Sequence, residues 1–255
     1  MFYFCHIPKT SGSSIEAAVV DEYFNTIKIA QSHKVPDLEN EQAVRNFLSN
    51  SDSYHFIKGH FGTLPVSYIN NVKTYSIVRE PFDRLISCFR FSQSPMRWRG
   101  SFENELKLFL TQNNPEFNSI GFDGRANMQV AYLTQELKWN HKEPFSMYFE
   151  TPLISFEQVL LLIKKNNITL STQDNRDYLL DVLSSDLSVK YNKNIILNKQ
   201  IKVNLNPLII SPLDIHPDII EKSKEINQLD YQLYNYIKNH EILNGRALLP
   251  EDIVI

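Results

Sequence analysis

The chain has 255 residues, of which 42% are apolar and 12% aromatic, with a formal net charge of −3. That is enough apolar matter for one sizeable packed core, and it excludes a disordered chain. The near-neutral balance supplies no global basic field for nucleic acid or an acidic membrane, so any polyanion must be held by a local cluster.

Residues 2–7 read as a buried strand bounded by Pro8, and residues 8–13 as a turn. A helix follows from about Ser14 to Tyr23, with Ile15, Ala18 and Val19 on one face. Ser13-Ser14-Ile15-Glu16 has the S-x-x-E form of a capping box. Residues 31–40 are loop-like and 41–49 a short helix. His55–His60 is a short strand leading into a glycine turn, and a brief helix starts at Pro65.

Tyr75–Val78 is a second buried strand. Pro81 opens the next helix, where its missing N–H costs nothing, and Leu85, Ile86 and Phe89 face a core. Pro95 and Gly100 break that helix, and 102–112 and 125–137 are further helical patterns. Leu153-Ile154-Ser155 reads as a third strand before a helix Phe156–Lys165. Residues 171–216 carry the weakest pattern, and one long helix spans about 217–239.

Strands alternating with helices imply an α/β layered domain with a mostly parallel sheet, taken as one domain over 1–255. Cys5 and Cys88 both lie in apolar patterns, which suits buried thiols and a reducing compartment. With no basic, apolar leader pattern and no apolar run of membrane-spanning length, the expectation is a soluble cytoplasmic protein.

Two segments carry the chemistry. In the first, His6-Ile7-Pro8-Lys9-Thr10-Ser11-Gly12-Ser13-Ser14, a strand runs through a tight turn into a helix N-terminus. Backbone N–H groups and the helix dipole there favour an anion. Lys9 adds a charge, Thr10, Ser11, Ser13 and Ser14 add hydroxyls, and Gly12 allows close approach to a ligand. The pattern is not a Walker A loop, because Lys9 comes too early and one glycine is present. An ordinary strand–helix turn with capping hydroxyls is the alternative.

In the second segment, Arg79 ends a strand and Ser87 follows on the next helix. A guanidinium there can reach over the sheet's carboxyl edge and grip a phosphate through two N–H groups. A surface ion network among Arg79, Glu80, Asp83 and Arg84 is the alternative.

Together the two segments resemble the sulfotransferases. The first is similar to their 5′-phosphosulfate-binding loop, with Ser11 in place of glycine and Ser13 in place of threonine. The second is similar to their 3′-phosphate-binding R-x-P-x-x-R-x-x-S element. The match is nearest to the carbohydrate branch that includes the heparan 2-O-sulfotransferases. Lys58-Gly59-His60-Phe61, Asn127-Met128-Gln129 and Leu229–Tyr234 resemble further family elements.

The resemblance implies a P-loop-like three-layer α/β domain with a mostly parallel central sheet flanked by helices. It implies 3′-phosphoadenosine 5′-phosphosulfate (PAPS) as donor and no metal. Lys9 would stabilise the leaving phosphate, with Thr10, Ser11, Gly12, Ser13 and Ser14 around the 5′-phosphosulfate, and Arg79 and Ser87 would hold the 3′-phosphate. His60, whose imidazole titrates near neutrality, is the expected base, and Glu16 the second choice.

The acceptor would be a hydroxyl, on a glycan or glycolipid by preference, with Arg90, Arg97, Trp98 and Arg99 as a candidate sugar-holding cluster. Asn198–Asn206 would close over the adenine by analogy alone. A small-molecule P-loop kinase and a non-catalytic anion-binding module are the competing readings.

Overall fold

A computed structural model of the chain describes residues 1–23, 29–31, 40–51, 54–92, 126–139, 147–150, 152–201 and 215–255. Its centre is a parallel sheet of β1 (Phe2–Cys5), β2 (Ile29–Gln31), β3 (Phe56–Gly59), β4 (Lys73–Val78) and β7 (Ile168–Thr172). Their spatial order is β2-β3-β1-β4-β7. A small antiparallel pair, β5 (Lys138–Trp139) and β6 (Met147–Tyr148), stands apart. This is the P-loop-like, helix-flanked α/β arrangement expected.

β1 is covered on both faces, so all its residues are buried and its sequence is an unbroken apolar run. Tyr3 and Cys5 enter one core together with Ile57, Leu133, Leu170 and Ile237. Phe2 and Phe4 enter the other with Ile15, Val19, Leu179 and Leu183. The second core lies under α1 (Gly12–Tyr23) and α7 (Arg176–Tyr191). The first lies under α2 (Glu41–Ser49), α5 (Met128–Thr134), α6 (Phe156–Lys165) and α9 (Gln228–Asn244). α3 (Leu64–Tyr68), α4 (Pro81–Ser92) and α8 (Pro217–Ile226) are the other described α-helices.

The chain leaves β1 towards β3 and β2 but leaves β4 towards β7. The two connections diverge, and a crevice opens between them at the carboxyl ends of β1 and β4. Ligands of open α/β sheets bind at such a point.

Two sequence expectations are corrected, and one unforeseen strand is added. Leu153–Ser155 is not a strand: Leu153 is 94% exposed, and Ser155 caps α6 with its side chain accepting from Gln158 N. The fifth strand is Ile168–Thr172, paired with β4 from Thr74↔Ile168 to Val78↔Thr172. The long final helix is two helices, α8 and α9, broken at Asn227. The expected helix over 102–112 lies outside the described residues.

α9 is locked to the end of β7 through buried Glu241. Its carboxylate accepts from Ser171 Oγ (2.5 Å), Thr172 N (2.8 Å), Thr172 Oγ1 (2.6 Å) and Asn175 Nδ2 (2.9 Å). Four donors around one carboxylate offset the cost of burying it.

Candidate active site

The loop after β1 takes its shape from two left-handed residues, Lys9 (φ 67°) and Ser11 (φ 70°). Such backbone turns successive N–H groups into a concave nest suited to an anion. Thr10 is buried between them, and its hydroxyl donates to Ile7 O over 2.8 Å, so it shapes the turn. Lys9, Ser11 and Ser13 are half-buried at the loop surface, while Ser14 is buried.

The helix starts at Gly12, two residues earlier than expected. Ser14 N and Ile15 N bond to Ser11 O, which makes Ser11 the cap residue. The Ser13–Glu16 capping box therefore does not form, because Glu16 lies beyond the third helical position. Glu16 instead pairs with Lys58 of β3. Gly12 has a local reason to be glycine. A Cβ there would stand 1.9 Å from Cδ2 of the His6 ring.

β4 ends beside this loop. Arg79 Nη1 donates to Lys9 O over 3.3 Å, so the guanidinium reaches across the crevice to the loop itself. The Arg79 peptide is gripped by the buried Gln129 side chain, which accepts from Arg79 N (2.8 Å) and donates to Arg79 O (2.9 Å). Pro81 then opens α4, and the Glu80 side chain accepts from Asp83 N over 2.6 Å.

Ser87 is half-buried two turns along α4. Among the described residues no hydrogen bond joins it to Arg79. The alternative of a surface ion network does not hold, because Arg84 is fully buried. Its charge faces Asp230 and pulls that carboxyl's pKa down, against a larger upward push from burial.

His60 follows β3 and stands next to the end of β1. Its Nδ1 lies 2.6 Å from His6 O, and its ring stacks on the His6 ring with centroids 4.5 Å apart. A carbonyl can only accept, so Nδ1 carries the hydrogen and Nε2 keeps its lone pair. Burial lowers the His60 pKa to about 4; the His6 carbonyl opposes this, and the Lys58 charge adds to it. His6 is held well below the usual histidine range, first by burial and then by the charges of His60, Lys58 and Lys9. His60 is thus a neutral imidazole at physiological pH.

Loop, strand ends and histidines therefore converge on one edge of the sheet. The sequence profile of the sulfotransferase family matches residues 1–149, which contain all of them. The chain belongs to the sulfotransferase family. In this sulfotransferase the matched stretch runs from β1 to β6, while β7, which completes the main sheet, and α6 to α9 lie beyond it. No curated protein matches the chain. Among solved structures, a sulfotransferase from Alicyclobacillus acidocaldarius is similar over 97% of this chain and 96% of its own, with a TM-score of 0.48 and 11% identity.

Sequence reasoning missed His6 as a partner of both His60 and Gly12. It marked Gln129 and Asp230 only as parts of family-like segments. Their roles come from contacts across 50 to 101 residues of chain, which no local pattern displays. Among the described residues no group of three or more His, Cys, Asp or Glu could hold a metal ion. Nor is any described helix long and apolar enough to cross a membrane. Cys5 and Cys88 are both buried. The side chain of Arg90, the residues Arg97, Trp98 and Arg99, and most of Asn198–Asn206 lie outside the description.

Proposed function

We propose that this sulfotransferase moves a sulfuryl group from PAPS to an acceptor hydroxyl on a carbohydrate, as the heparan 2-O branch does. The acceptor O–H proton passes to His60 Nε2 as the new O–S bond forms. The bond from sulfur to the donor's phosphate oxygen breaks, and adenosine 3′,5′-bisphosphate leaves. Sulfuryl transfer needs in-line placement and charge stabilisation more than covalent chemistry from the protein.

Lys9 neutralises the charge that grows on the leaving phosphate. The backbone of Thr10, Ser11 and Gly12, with Ser13 and Ser14 at the helix start, holds the 5′ end. Arg79 and Ser87 hold the 3′-phosphate and so fix where the donor lies. The half-buried Lys58–Glu16 pair sets the field around His60. Glu16 is thereby committed to Lys58, which favours His60 over it as the base.

One contact carries this reading. The Arg79 guanidinium touches the Lys9 carbonyl, so the two anion-binding elements face a shared crevice. We take the chain as one catalytic domain, because β7 and α9 from beyond the matched residues join the same sheet and core. Two buried cysteines suit a cytoplasmic setting. Titration calorimetry with adenosine 3′,5′-bisphosphate against wild type, Lys9→Ala and Arg79→Ala tests the site.

A further inference from the structure

We propose that Gln129 is a positioning residue for Arg79, its side-chain amide aiming the guanidinium from behind at the donor's 3′-phosphate. The proposal rests on the reading in which Arg79 grips that phosphate.

Arg79 is the first residue after β4, where the strand ladder has run out. On the β1 side pairing stops at Phe4↔Tyr75, and on the β7 side at Val78↔Thr172. The Gln129 amide takes over there, bonding both the N–H and the C=O of Arg79 as a neighbouring strand would. A primary amide supplies one acceptor and one donor in this geometry at any ordinary pH, whereas a carboxyl of the same length does so only when protonated.

Gln129 is itself held rigidly. Asp230 accepts from Gln129 N (3.1 Å) and Val130 N (2.9 Å), capping the start of α5. Asn127, in the left-handed region at φ 53°, returns the favour to α9: its Oδ1 accepts from Leu229 N (2.9 Å) and Asp230 N (3.2 Å). Asn227 Oδ1 accepts from Asn127 N over 3.0 Å. Two helix N-termini thus cap each other, and the break between α8 and α9 falls where this exchange occurs. A buried, reciprocally bonded unit of this kind has one arrangement, and Gln129 passes that rigidity to Arg79.

The test compares two probes. Adenosine 3′,5′-bisphosphate carries the 3′-phosphate and adenosine 5′-phosphate lacks it. Gln129→Glu keeps the shape and the bond from Arg79 N but turns the donor atom into an acceptor facing the Arg79 carbonyl. Gln129→Leu removes both bonds. Each variant is expected to bind the bisphosphate about tenfold more weakly than wild type, a loss on the scale of one buried hydrogen bond. Binding of the 5′-phosphate should stay within about twofold.

For Gln129→Glu the bisphosphate deficit relative to wild type should shrink as pH falls, because a protonated carboxyl donates again to Arg79 O. Equal weakening of both probes, or no weakening, overturns the proposal. Arg79→Ala separates this from the underlying reading. If Arg79→Ala leaves bisphosphate affinity unchanged, the 3′-phosphate assignment fails. If it weakens bisphosphate binding while both Gln129 variants do not, only the positioning role fails.

Discussion

His60 Nδ1 sits 2.6 Å from the main-chain oxygen of His6. That contact decides which nitrogen of His60 is available, because it commits Nδ1–H to the carbonyl and leaves Nε2 as the acceptor of a proton. Replacing His60 by Ala should therefore lower turnover by about 10²-fold or more, the scale of a lost general base. Affinity for adenosine 3′,5′-bisphosphate should stay within about twofold. PAPS turnover with a panel of hydroxyl acceptors and calorimetry on the same protein check both halves. Near-normal turnover would remove His60 from the mechanism.

The same histidine predicts an unusual pH profile. With its pKa lowered to about 4, His60 stays neutral well below the point at which a free histidine gains its proton. The rate of the chemical step should be flat from pH 8 to about 5 and fall only on approach to 4. An acidic limb near pH 6.5 or above would show that His60 titrates as an ordinary histidine.

Stability should depend on pH with a definite sign. His6 and His60 both have folded pKa values below their unfolded ones. Between about pH 6.5 and 4 the unfolded chain binds more protons than the folded one, so stability rises with pH across that window. It is fully present above about 6.5 and is lost as pH falls. The thermal midpoint of wild type should drop over this range more steeply than that of His60→Gln. Parallel curves would contradict the linkage.

The loop after β1 carries strain at Ser11, whose φ of 70° suits glycine better than serine. Ser11→Gly should raise stability in urea unfolding by about 1 kcal/mol. Gly12 behaves oppositely. Gly12→Ala forces a methyl into the His6 ring and should cost about 2 kcal/mol, with loss of bisphosphate affinity because the loop must shift. Unchanged stability in Gly12→Ala would mean that the ring is not packed there.

Asp230 faces the buried guanidinium of Arg84 and caps α5. Asp230→Ala should cost about 3 kcal/mol in urea unfolding, because it strips two capped N–H groups and leaves the Arg84 charge without this partner. Asp230→Asn, which keeps the shape and one acceptor, should cost less. An equal cost for both would show that charge alone matters.

What the sequence displayed follows a physical pattern. β1 was legible because a parallel strand covered on both faces reads as a continuous apolar run, and β4 because Tyr75, Ile77 and Val78 lead into Pro81, which marks a helix start. The strand–turn–helix junction at Pro8–Ser14 was legible, but not its geometry. Two left-handed residues moved the helix start to Gly12 and freed Glu16 to meet Lys58. β7 escaped notice because Ser171 and Thr172 are polar, and only Glu241, about seventy residues later, explains their burial. The break at Asn227 was hidden for the same reason: apolar spacing continues through it, while Asn127, about a hundred residues earlier, caps the start of α9.

The central claim is that the loop at Lys9 and the strand end at Arg79 hold the two ends of one adenosine nucleotide. Calorimetric titration of adenosine 3′,5′-bisphosphate into wild type, Lys9→Ala and Arg79→Ala measures it directly. Each substitution should weaken binding by about tenfold or more, the scale of a charge-assisted hydrogen bond. Affinities equal to wild type in both variants would contradict it.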